Sequence, residues 1–164
     1  MNILHISAVK TWGGGENHLE NLCFEINTSY QNDVSTHVLC PKNSKLYNNL
    51  KAADTISKLH QAPLAFKADL RFSLKIITVC KSEHIDIIHI HDPTALTLAV
   101  IADKLYNKLP PFILHKKTSF AIKNRKKTLF KYNYPKIKKI VCVSKATEKI
   151  TLKSICDKAK VLTI

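Results

Sequence analysis

The chain opens Asn2-Ile3-Leu4-His5-Ile6-Ser7, continues through Ala8 to Trp12, and reaches Gly13-Gly14-Gly15-Glu16 ahead of an amphipathic stretch. A short apolar run, a glycine cluster and a helical pattern together read as a strand, a tight loop and a helix N-terminus. All three glycines of the protein stand there, consecutively. Glycine permits positive φ and lets a ligand approach the main chain closely. The helix behind the loop directs its unpaired N–H groups and the positive end of its dipole into it. Such a place suits an anion, a phosphate or a carboxylate. The loop is neither a dinucleotide fingerprint nor a P-loop, since no Gly-Lys-Ser/Thr follows. A tight turn with no ligand would use the same glycines.

Outward from this stretch, apolar runs alternate with helical periodicity. Leu19, Leu22, Cys23 and Ile26 give the first helix, about Glu16 to Asn27, a single apolar face. A second strand spans Val34–Cys40 and stops at Pro41, a short helix covers Lys42–Ala53, and Thr55–Leu59 reads as a third strand. Asp69 is placed to cap a helix running to Glu83, with Leu70, Leu74, Ile77 and Cys80 as its buried stripe. The run Ile85–His91 is apolar on both faces, as in a central parallel strand, and ends at Asp92-Pro93. The following helix, to about Asn107, presents Leu98, Ile101, Ala102 and Leu105. After Pro110-Pro111 come a strand (Phe112–His115), a loop (Lys116–Ala121) and a basic helix (Lys123–Tyr134). A strand (Ile137–Val143), a helix capped by Ser144 through Ile155 and a last strand from Val161 complete the series. Crossovers of helix length between strands specify a doubly wound, Rossmann-like α/β parallel sheet.

At 164 residues the chain is one domain, or one half of a two-domain protein. The five cysteines, Cys23, Cys40, Cys80, Cys142 and Cys156, are odd in number and scattered, and read as reduced core or helix residues of a cytoplasmic protein. No signal-peptide pattern opens the chain, and no apolar run approaches the ~18 residues of a membrane span. Lys and Arg outnumber Asp and Glu by 26 to 12, a net +14. That excess draws a protein to polyanions: nucleic acid, an anionic membrane surface or phosphorylated ligands. A solvated lysine surface is the plain alternative. Ten of these bases lie between Lys116 and Lys139, interleaved with Phe120, Phe130, Tyr132 and Tyr134. The segment fits an RNA surface, a basic helix on anionic lipid, or a solvated face.

Ligands of doubly wound sheets bind beyond the carboxyl ends of the strands. Four polar clusters fall there: Gly13–Glu16, His91-Asp92, His115–Ser119 and Ser144. His91 is expected to face the cleft as a hydrogen-bond donor. His89, two residues back, reads as a deeper, satisfied histidine. The pair could ligate a metal, but no third ligand stands at a usual spacing, so no metal is expected. Asp92 could instead cap the next helix. No nucleophile elbow is present.

Asn2–Ser7, Gly13-Gly14-Gly15-Glu16, the Asp86–Pro93 stretch ending His-Ile-His-Asp-Pro, and Ile140-Val141-Cys142-Val143-Ser144 occur in an order that resembles the N-terminal domain of family 4 glycosyltransferases. These are retaining enzymes of the GT-B fold, and the resemblance covers nearly the whole chain. It implies that residues 1–164 form the acceptor-side Rossmann-like domain, that Val161–Ile164 precedes the crossover to a second domain, and that the C-terminal nucleotide-sugar-binding domain, with its spaced glutamate pair, is absent from this chain. It further implies that Gly13, Gly14, Gly15 and Glu16 line an interdomain cleft near the donor diphosphate. His91 would contact the transferred sugar, with Asp92 beside it. Lys116, Lys117 and Thr118 would meet the acceptor, and Ser144 would match a family serine that can equally cap a helix. The expected activity is sugar transfer from a nucleotide-sugar donor to a lipid-linked cell-surface glycan acceptor, on the cytoplasmic face of a membrane, with no cofactor or metal. The fragment alone is expected to be inactive. A nucleic-acid-binding α/β module, with nucleic acid the less favoured partner, and a non-catalytic phospho-ligand domain are the alternatives.

Overall fold

A computed structural model describes residues 1–30, 33–53 and 58–164. Among these, seven strands form one parallel sheet in the order β3-β2-β1-β4-β5-β6-β7. The strands are β1 Asn2–Ile6, β2 Ser35–Pro41, β3 Lys58–Ala62, β4 Ile87–Ile90, β5 Phe112–Lys116, β6 Ile137–Cys142 and β7 Val161–Thr163. The helices between them are α1 Gly14–Ser29, α2 Lys45–Ala53, α3 Leu70–Ser82, α4 Pro93–Tyr106, α5 Lys126–Tyr132 and α6 Lys145–Leu152. Of the third strand expected at Thr55–Leu59, residues 55–57 lie outside the described residues, and β3 begins at Lys58.

The order reverses between β1 and β4, which pair in register with His5 opposite His89. Such a reversal leaves a crevice at the carboxyl ends of the two strands. Period-two alternation divides the sheet into two faces. Leu4, Ile6, Ile88, Ile90 and Leu114 join the larger apolar cluster, together with Phe72 and Ile76 of α3 and Leu98 and Ala99 of α4. Val38 and Cys40 face the opposite way, into a smaller cluster with Leu19 and Cys23 of α1 and Leu46 and Leu50 of α2. The histidines of β1 and β4 belong to that second face, because they alternate with Leu4, Ile6, Ile88 and Ile90.

Two helix faces differ from the expected ones. In α3 the buried residues are Phe72, Ser73, Ile76, Val79 and Cys80, while Leu70 and Leu74 are 55% and 53% exposed. The apolar residues of α3 cover most of its circumference, so periodicity alone does not choose the stripe; packing on α4 does. In α4 Leu98 and Ala102 are buried as expected, but Leu105 is exposed, and Ala95, Leu96, Ala99 and Val100 bury a second side of the helix. The basic helix is shorter than its composition suggests and begins at Lys126. Helix α6 ends at Leu152, short of Ile155. Four cysteines are buried; Cys156 is exposed and outside any helix.

Candidate functional site

At the crevice, a pocket of about 460 Å³ is lined from four directions. The first turn of α1 supplies Gly14, Gly15, Glu16 and His18; the end of β4 supplies His91, Asp92 and Pro93; β5 and its loop supply His115, Lys116, Lys117 and Thr118; Tyr132 and Val143 close the far side. Residues over a hundred positions apart in the chain meet here because parallel strands all end at one edge.

The glycine loop does not use positive φ: none of the three glycines adopts it. Gly13 is the N-cap in extended backbone, with no side-chain cap. Its carbonyl accepts from the N–H groups of Glu16 and Asn17. A Cβ on Gly14 would meet nothing within 4 Å, and one on Gly15 would touch the Lys117 side chain at 3.8 Å. Gly14 therefore leaves open space at a helix N-terminus where the N-cap residue brings no side chain, and where the Glu16 carboxylate accepts from the Gly13 and Glu16 N–H groups.

Lys117 reaches across the mouth of the pocket. Its Nζ donates to the Gly15 carbonyl at 2.7 Å, tying the end of β5 to the first turn of α1. Burial lowers its pKa to about 8, with Glu16 and Asp92 acting in the opposite sense. Burial likewise raises Glu16. Lys116 turns inward instead, and its Nζ donates to the carbonyls of Thr118 and Phe120 and to the Thr118 hydroxyl. It holds the loop after β5 in shape.

Asp92 caps α4: its Oδ1 accepts from the N–H of Thr94 at 2.9 Å and of Ala95 at 2.8 Å. Its Oδ2 accepts from the Ala8 N–H at 2.7 Å. One carboxylate thus fixes the start of α4 and the chain leaving β1. Burial raises its pKa, and these N–H bonds oppose that shift.

His91 lines the pocket yet is only 5% exposed. Its Nε2 lies 3.1 Å from Nδ1 of His5 on β1, a partner that the spacing within β4 could not reveal. His89 stacks beside both, with ring centroids 5.1 Å from His5 and 4.3 Å from His91. His115 continues the row 5.5 Å from His89, and His18 meets it edge-on at 4.8 Å. Burial is the main cause that depresses all five, to about 3 for His5 and about 4 for His115, and well below the usual value for His89 and His91. All five rings are therefore neutral at physiological pH.

Of the residues singled out from sequence, Gly14, Gly15, Glu16, His91, Asp92, Lys116, Lys117 and Thr118 line the pocket. Gly13 caps the helix behind it, and Ser144 caps α6, its Oγ accepting from the Thr147 N–H at 3.2 Å. Sequence reading missed His5, His18 and Tyr132. Only the i, i+2 pair His89/His91 signalled the histidine row, and the register of β1 on β4 completes it.

The sequence profile of the family described as Glycosyltransferase Family 4 matches residues 12–164. No curated protein matches. Among solved structures, HepE from Anabaena in complex with UDP-glucose aligns over 100% of this chain and 43% of its own, with TM-score 0.73 and 16% identity. A glycosyltransferase from Rickettsia africae aligns over 99% of this chain and 42% of its own, with TM-score 0.69 and 18% identity. The UDP-GlcNAc 2-epimerase of Methanocaldococcus jannaschii aligns over 100% and 45%, with TM-score 0.66 and 11% identity. At these identities the likeness is one of fold, and the chain spans less than half the length of each structure. That an epimerase shares the architecture shows that the fold alone does not select the reaction.

Proposed function

We propose, since this chain belongs to glycosyltransferase family 4, that it is the acceptor-side half of a GT-B enzyme moving a sugar from a nucleotide-sugar donor to a lipid-linked cell-surface glycan. The donor nucleotide is held by a second domain, and its diphosphate and sugar project into the pocket between α1 and the ends of β4 and β5. The observation that carries this reading is the convergence of a glycine-opened helix N-terminus, a lysine and a neutral histidine on one crevice.

The transfer proceeds with retention and without a metal. The bond between the anomeric carbon and the diphosphate oxygen breaks, the acceptor hydroxyl oxygen bonds to that carbon on the same face, and its proton passes to the departing phosphate. Negative charge grows on the leaving group, where Lys117 and the N–H groups of α1 stabilise it more than they stabilise the ground state. With His5 Nδ1–H donating to His91 Nε2, the neutral His91 ring carries its proton on Nδ1, an atom with no partner within the described structure. That N–H is the donor to a hydroxyl of the transferred sugar.

The exposed bases Lys123, Arg125, Lys126, Lys127, Lys138 and Lys139, with Phe120 82% and Phe130 48% exposed, hold the enzyme on the anionic cytoplasmic face of a membrane.

The test is sugar transfer by the full-length protein. His91→Ala should lower kcat about 100-fold or more, the scale of one preorganised donor lost, with folding preserved by circular dichroism. Residues 1–164 alone should be inactive. An undiminished His91→Ala enzyme, or robust turnover by the isolated domain, would refute the assignment.

A further inference from the structure

We infer that His5, His89 and His91 form a site for a divalent first-row transition ion, with zinc the natural probe, at the floor of the cleft. The three side chains come from two adjacent strands. His5 and His89 are register partners, and His91 stands two residues on from His89, just past the end of β4, its N–H donating to the Ile6 carbonyl. One ligand nitrogen from each lies within 4.8 Å of the other two. His5 Nδ1 and His91 Nε2 are already 3.1 Å apart. Two imidazole nitrogens bound to one tetrahedral zinc at the usual bond length stand ~3.3 Å apart. That pair therefore spans an edge of the coordination polyhedron as it stands. His89 joins by side-chain rotation that brings its nitrogen nearer by up to roughly 1.5 Å.

The chemistry of the surroundings points the same way. Polar atoms buried without a partner are rare because each costs free energy. Within the described structure, His5 Nε2, His89 Nε2, His91 Nδ1 and both nitrogens of His115 have none. A hydrogen bond between His5 and His91 uses one lone pair; a cation would use three. Asp92, beside His91, spends its oxygens on three backbone N–H groups and leaves the imidazoles free to ligate. Three imidazoles are the protein's share of an open rather than a closed zinc site, and of the three His91 lines the pocket. Affinity should follow the order of divalent ions for nitrogen ligands, rising from cobalt to copper.

The consequence rests on the reading in the previous subsection, though the site itself does not. An ion on His91 Nε2 breaks its contact with His5 and reorients the ring that faces the sugar. The metal would then be an inhibitor of transfer, not a participant.

The experiment is competition of zinc between the purified, metal-stripped full-length protein and a chromophoric chelator. One equivalent should bind tighter than micromolar. His5→Gln, His89→Gln and His91→Gln should each weaken binding by about 1,000-fold, above the roughly 10–100-fold range for outer-shell changes. His37→Gln and Cys156→Ser, which remove an imidazole outside the three-histidine cluster and the exposed thiol, should leave it unchanged. If a cleft variant fails to fold, cobalt bound to the unsubstituted protein decides. A visible spectrum of nitrogen ligation, without a thiolate charge-transfer band, supports the site. Binding weaker than micromolar, binding that survives in the His5→Gln/His91→Gln double variant, or thiolate ligation would overturn it. These readouts need no glycosyl transfer, so failure of the site and failure of the functional assignment are separable.

Discussion

Asp92 joins two elements through three backbone N–H groups, and its replacement should be felt in both. Asp92→Ala removes a helix cap and leaves the Ala8 N–H without its acceptor, a combined cost of about 3 kcal/mol. Asp92→Asn keeps one acceptor oxygen and should cost about 1 kcal/mol. Urea unfolding of both variants checks the order; equal losses would show that the cap contributes nothing beyond the bond from the Ala8 N–H. A second prediction concerns His37 and His60, whose rings stack 5.7 Å apart away from the cleft. Burial lowers both from the ordinary 6.5; Lys58 acts in the same sense, and Glu83 opposes it. At neutral pH neither folded nor unfolded chain protonates them, so they exact no penalty. As pH falls below 6.5, the unfolded chain binds protons first, and stability drops. The cleft imidazoles shift in the same direction. The urea midpoint should therefore fall between about pH 7.5 and about pH 5.5, and His60→Gln should flatten that slope. A midpoint that rises with acid would contradict the neutral-imidazole picture.

Helix α4 carries a buried polar linkage outside the site. It ends at Asn107 in the left-handed conformation, φ 56°, which returns the chain toward β5. Buried Asp103, one turn earlier, accepts from the Tyr134 hydroxyl at 2.9 Å and the Leu109 N–H at 3.3 Å. Lys136 lies 3.8 Å away. This cluster joins α4 to the segment that enters β6. Tyr134→Phe should cost about 1–2 kcal/mol, the loss of a buried hydrogen bond to a charged acceptor. A thermal melt that matches the parent protein would place the Tyr134 ring, not its hydroxyl, in charge of that junction. The elements themselves were legible in the sequence because proline, capping aspartate and alternating patterns punctuate them. The faces of α3 and α4 were not. Leu70 and Leu74 have the right spacing, but Phe72, Ile76 and Val79 fill the space against α4 better. Similarly, the crevice residues could be gathered from the rule that ligands sit at strand ends. His5 could not, because a histidine inside an apolar strand gives no sign of which neighbour its face will meet.

Across the whole molecule, charge and shape are distributed unequally. Of the ten bases between Lys116 and Lys139, Lys116, Lys117, Lys131 and Lys136 bond to main-chain carbonyls, whereas the other six are exposed. Composition showed the excess but not this division, which depends on which amines the fold turns inward. If the exposed group meets lipid, the full-length protein should sediment with vesicles rich in anionic lipid and not with neutral ones. Lys126→Glu/Lys127→Glu should weaken that association by about tenfold or more, at ~1 kcal/mol per base near the surface. Binding to RNA in preference to vesicles would favour the nucleic-acid alternative instead.

The reversal of strand order between β1 and β4 also sets a timetable. Ile3 pairs with Ile87, 84 residues later, along one whole edge of β1. At roughly 5–20 residues per second, a ribosome needs on the order of ten seconds to deliver that partner. Throughout that interval β1 can pair only with β2. Its other edge, with the His5 imidazole beside it, waits as an open template for foreign strands. A strand that ends in the interior of the sheet is thus an open edge of the nascent chain. Until β4 emerges, a chaperone that shields short apolar strands would have its greatest effect there.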